Sequence, residues 1–78
     1  MNYWVIYEKT GMGFSAYVPD LPGCVTSGKT LEETQRNMQE AITGHLSVMR
    51  EFGEVIPVPT TIAARVEIPA DDPVVTAA

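Results

Sequence analysis

The chain has 78 residues and a formal net charge of −5, with one cysteine, Cys24, and one histidine, His45. That length fits one domain and not two. The lone cysteine excludes an intrachain disulfide, and the lone histidine excludes a Cys/His metal cluster. The acidity argues against direct nucleic-acid binding, which needs a basic surface, and Lys9, Lys29, Arg36, Arg50 and Arg65 are scattered along the chain.

A domain this short buries only about 60–65% of the surface its unfolded chain exposes. With no disulfide or metal to staple it, association with another chain is the remaining means of adding stability. The start, Met1-Asn2-Tyr3-Trp4, lacks the basic stretch of a secretory leader, and no apolar run has the length of a membrane span. A cytoplasmic protein is the expectation.

Residues 3–7 (YWVIY) are all β-formers and predict a first strand. Tyr3, Val5 and Tyr7 share one face, and Trp4 and Ile6 share the other. Both rows are apolar, so a helix on one face leaves the second row in water. Thr10-Gly11-Met12-Gly13 reads as a hairpin turn. Residues 14–18 follow as a second strand, with Phe14, Ala16 and Val18 on one face and Ser15 and Tyr17 on the other. Pro19-Asp20-Leu21-Pro22-Gly23 then breaks the pairing. Pro22 and Gly23 suit the central positions of a type II turn, and Asp20 is expected to cap this turn itself. Residues 24–27 read as a short edge strand.

Thr30 and Glu33 form a capping box: the Thr30 hydroxyl accepts from the Glu33 amide and the Glu33 carboxylate reaches back to the Thr30 amide. It opens a helix over residues 31–52. Leu31, Thr34, Met38, Ala41, Ile42, His45, Met49 and Phe52 recur on one stripe, and Gly53 ends it as the residue after the cap. Gly44 lies mid-helix, where it costs about 1 kcal/mol relative to alanine. A proline-bounded connector, residues 55–59, leads to a fourth strand over 62–68, in which Ile62, Ala64, Val66 and Ile68 alternate with Ala63, Arg65 and Glu67. Residues 70–78 read as a flexible tail, leaving 1–69 as the domain. The fold class is α+β: β-β-β-α-β, a small mainly antiparallel sheet in the order 3-2-1-4 with one long helix on one face. The helix, about 33 Å long, exceeds strands of about 20–23 Å, so Met49 and Phe52 near its far end need cover.

Few residues suggest chemistry. His45 lies in the apolar stripe with no nucleophile or carboxylate motif beside it, so a hydrogen-bonded structural histidine is expected. Cys24 has no neighbouring cation to lower its pKa and reads as a small buried hydrophobe. Glu8 and Asp20 could pair for a divalent metal, which keeps a residual metal-dependent nuclease as an alternative. Trp4 and Tyr17, on the uncovered sheet face, are typical interface anchors.

Residues 14–24 (FSAYVPDLPGC), 28–33 (GKTLEE), 37–42 (NMQEAI), His45-Leu46 and 53–57 (GEVIP) together resemble the N-terminal domain of the HicB-family antitoxins, over about residues 3–68. The resemblance implies a reduced ribonuclease-H-like fold. It also implies binding to a small basic HicA-type toxin, an RNA-cleaving protein whose active site the antitoxin masks, and assembly into a homodimer or homotetramer. Many members of that family carry a C-terminal DNA-binding domain. This chain ends ten residues after Ile68, so operator binding is not expected. No catalytic residue, cofactor or metal is expected. Trp4, Tyr17, Met49 and Phe52 are the candidate partner or oligomer surface. Pro19, Asp20, Pro22, Gly23, Thr30, Glu33 and His45 are the structural motif residues. An orphan oligomeric structural or ligand-binding module is the other alternative.

Overall fold

In a computed structural model describing residues 1–70, three strands and one helix follow in chain order: β1 (Ile6–Thr10), β2 (Gly13–Tyr17), β3 (Val25–Gly28) and α1 (Leu31–Glu51). The strands form an antiparallel sheet in the order β1-β2-β3, and α1 packs on β2 and β3. This is the α+β architecture expected, with one helix on one face of a small antiparallel sheet. The last eight residues, and with them most of the expected tail, lie outside the described residues. No helix among the described residues is long and apolar enough to cross a membrane.

The loop from β2 to β3 is two consecutive turns. The Leu21 amide donates to the Val18 carbonyl (3.1 Å), and the Cys24 amide donates to the Leu21 carbonyl (3.0 Å). Pro22 and Gly23 occupy the centre of the second turn, and Gly23 has the positive φ, 84°, that a type II turn requires there. The Val18 amide closes the loop on the Cys24 carbonyl at 3.1 Å. The result folds Leu21 inward until none of it is exposed, beside Ala16, Val18, Cys24 and Met38. The loop thus supplies part of the core, which the short strands alone could not fill.

Thr30 caps α1 as expected, its Oγ1 accepting from the Glu33 amide at 3.1 Å. Glu33 reaches one residue further back than a strict capping box: its carboxylate accepts from the Lys29 amide at 2.9 Å. The Asn37 side-chain amide donates to the Ser27 carbonyl (2.9 Å), tying the helix to the edge strand. At the far end Gly53 has φ 68°. Its amide donates to the Arg50 carbonyl and the Glu54 amide to the Met49 carbonyl, the paired bonds of a Schellman cap. Gly44 has open space around the position of a Cβ, so no close backbone approach requires a glycine there.

Two expectations need correction. Residues 62–68 do not join the sheet, so the order is β-β-β-α and β1 remains an edge. The helix packs over β2 and β3, so a strand added outside β1 would find little helix beneath its apolar side. The first strand is also shifted: β1 begins at Ile6 rather than Tyr3, because its pairing starts opposite Tyr17, the last residue of β2. Tyr3, Val5 and Tyr7 still pack against the core.

Candidate functional surface

The sheet face opposite the helix is assembled by register. Ile6 pairs with Tyr17 and Tyr17 with Val25, so one cross-strand row is apolar across all three strands. The next row on that face, Glu8, Ser15 and Ser27, is polar and carries a carboxylate. Trp4, two residues upstream of Ile6, continues the alternation and is 52% exposed; Tyr17 is 42% exposed and Val25 66%. Trp4 and Tyr17 therefore belong to one surface, but Ile6 rather than Trp4 lies directly opposite Tyr17. Val25 is a member of this surface that the sequence reading does not name. Its signal was the alternation with Cys24, which is buried.

Met49 and Phe52 are elsewhere, on the layer opposite this sheet face. Phe52 is exposed at the helix terminus, and Met49, half-buried, lines an open cleft of about 570 Å³ between the second half of α1 and the β2–β3 loop. Leu21, Pro22, Cys24 and His45 also line this cleft, together with Glu40 and Glu54. The four candidate interface residues are thus divided between two surfaces. His45 is half-buried, but among the described residues no side-chain hydrogen bond involves it. It lines the cleft instead of anchoring a network, facing the apolar Leu21, Pro22 and Cys24 of the β2–β3 loop.

Asp20 does not cap its own turn. Its carboxylate accepts from the amides of Thr60 (3.3 Å) and Thr61 (3.1 Å) and from their hydroxyls (3.1 and 2.9 Å). The Tyr3 hydroxyl donates to the Pro57 carbonyl at 2.6 Å. Together these bonds strap the chain after α1 across one end of the sheet. Desolvation opposes ionisation of Asp20, but the donors from Thr61 and Thr60 together outweigh it and hold its carboxyl below the usual value. A carboxylate whose folded pKa is depressed contributes stability above its unfolded pKa. That contribution is lost as pH falls through the folded value. The strap is therefore expected to be intact at neutral pH and to release in acid. Amide ¹H–¹⁵N shifts of Thr60 and Thr61 should follow one titration below the ordinary carboxylate range. Their titration should vanish in Asp20→Asn, and shifts flat with pH in the wild-type chain would count against the strap.

These bonds also bear on the nuclease alternative. Glu8 lies opposite Ser15, whereas Asp20 is beyond the end of β2 with both oxygens engaged. The structure does not bring them together as a metal-binding pair. Among the described residues no group of three His, Cys, Asp or Glu side chains is placed to hold a metal ion. Cys24 is buried, and desolvation pushes its thiol up, away from reactivity.

The family described as HicB-like antitoxin of bacterial toxin–antitoxin system matches residues 3–77. The chain is 42% identical over 57 residues to an uncharacterised 14.9 kDa protein of Haemophilus phage HP1, covering 73% of this chain and 43% of that protein. It is 35% identical over 71 residues to Antitoxin HicB 2 of Photorhabdus laumondii, covering 90% of this chain and 51% of that protein. The chain thus spans about half the length of these relatives or less. Among solved structures, a chain of the HicA3 and HicB3 toxin–antitoxin complex superposes with a TM-score of 0.67 at 32% identity, over 77% of this chain and 70% of that one.

Proposed function

The chain belongs to the HicB-like antitoxin family of bacterial toxin–antitoxin systems, and on that premise we propose that it acts by binding, neutralising a small basic HicA-type RNA-cleaving toxin and associating with further copies of itself. The observation that carries this reading is the likeness to a chain of a HicA3–HicB3 complex, at an identity well above chance. Two physical features support it. The net charge of −5 favours a basic partner. The row of half-buried Ile6 and exposed Tyr17 and Val25, with exposed Trp4 beside it, offers aromatic anchors next to the Glu8 carboxylate. Such a module occludes a toxin's site and needs no chemistry of its own.

Co-expression with any small basic protein encoded beside it tests the proposal. A stable complex and relief of RNA cleavage are expected. Trp4→Ala or Tyr17→Ala should weaken the complex by roughly 30-fold or more if these residues are anchors. Failure to capture any such neighbour would refute toxin neutralisation. A complex indifferent to both substitutions would move the contact to another surface, with the cleft beside Met49 the next to test.

A further inference from the structure

Residues 62–68 leave the strap at Thr61 in an unusual condition for a segment with strand patterning. Ile62 is 88% exposed, Val66 82% and Ile68 57%, and Ala64 is exposed between them. No backbone hydrogen bond ties this stretch to another described residue. An alternating apolar row whose backbone is unpaired among the described residues is a template for pairing with another chain.

The order of its residues indicates which chain. Placed antiparallel to a copy of itself about Val66, the stretch sets Val66 opposite Val66, Ala64 opposite Ile68 and Arg65 opposite Glu67. The last two pairings each occur twice. Every charge then meets its opposite directly across the ladder, the arrangement that favours pairing, whereas like charges there oppose it. Ile62, Ala64, Val66 and Ile68 of both copies fall on one side, and the charges fall on the other. Pro69 would stand opposite Ala63 at the end of the ladder, where a missing amide is tolerated. A contact centred on one residue in this way is self-complementary and closes as a two-fold dimer.

We propose that residues 62–68 of two copies pair antiparallel about Val66, forming the dimer contact of this protein. This rests on the self-association part of the proposed function and is independent of the toxin. A two-stranded ribbon is small and marginal alone, so the dimer is expected to be concentration-dependent.

Cross-linking tests the register. In the proposed pair the two Val66 Cα atoms lie about 4.5–5.5 Å apart, within reach of a disulfide. The two Ile62 Cα atoms lie about 27 Å apart, eight strand residues distant. Val66→Cys should therefore give a disulfide-linked dimer on mild oxidation, and Ile62→Cys should not. Cys24 is buried and does not compete. Sedimentation adds a charge test: Arg65→Glu should raise the dimer dissociation constant several-fold, and Arg65→Glu with Glu67→Arg should restore it. A chain that stays monomeric at high concentration would overturn both this pairing and the self-association reading. A dimer that cross-links at neither position, or that the double exchange fails to rescue, would overturn the pairing alone and place the contact on another surface.

Discussion

Leu21→Ala is expected to lower the free energy of unfolding by about 2–5 kcal/mol, the range for truncating a fully buried leucine. The side chain has no exposed surface and is packed among Ala16, Val18, Cys24 and Met38. Two turns position it, and neither can move inward to fill the void without breaking the Val18–Cys24 closure. A core of this size supplies only about 3–5 kcal/mol in total, so the substitution should remove a large share of the stability at 25 °C or all of it. Urea denaturation followed by circular dichroism reads the effect. A loss below about 1 kcal/mol, the scale of a surface change, would mean that the loop does not plug the core.

The second large effect is expected at Gly28, where the end of β3 meets the first turn of α1. A Cβ there would sit 2.6 Å from the Thr34 Oγ1, 2.9 Å from its amide nitrogen and 3.1 Å from its Cα. Thr34 cannot swing aside. It is fully buried, and its hydroxyl already donates to the Thr30 carbonyl at 2.7 Å. Gly28→Ala must push the helix start away from the sheet, which is expected to cost about 1–3 kcal/mol, as overpacking does. The strain should also loosen the contact between Asn37 and Ser27. Thermal melting, together with amide exchange in the first turn of α1, checks both consequences. A melting temperature equal to that of the wild type would show that the helix start has room to adjust. Gly44 provides the contrast: it has open space at the same distance, and only helix propensity is at stake there.

Both sites illustrate how much was legible in the sequence. The Pro22-Gly23 turn could be read directly, because only certain residues accept its backbone angles, and the structure has Gly23 at φ 84°. That the turn exists to bury Leu21 could not be read, since burial depends on what the loop folds back upon. The glycine at position 28 carried no signal of its own. It becomes restrictive only because α1 crosses β3 at that point, which is a matter of interlocking layers. The sequence points Asp20 to its own turn because local partners are the only ones a sequence displays. Its actual donors, Thr60 and Thr61, are forty residues away in the chain.

Local rules therefore determined the helix and its ends. Thr30 satisfies an orphan amide and Gly53 takes the positive φ of the cap, and both follow from a few adjacent residues. The same rules determined the order of the first three strands and the division of Trp4 and Tyr17 from the core side, because alternation and short turns act over neighbours. Tertiary structure alone decided the rest: that Trp4 and Tyr17 share a surface with Val25 while Met49 and Phe52 do not, that His45 lines a cleft, and that residues 62–68 stand clear of the sheet. The alternating pattern in that last stretch specifies a strand but not its partner. A partner is chosen by which edge has unpaired backbone and a covered apolar side, and that depends on where the helix has already packed.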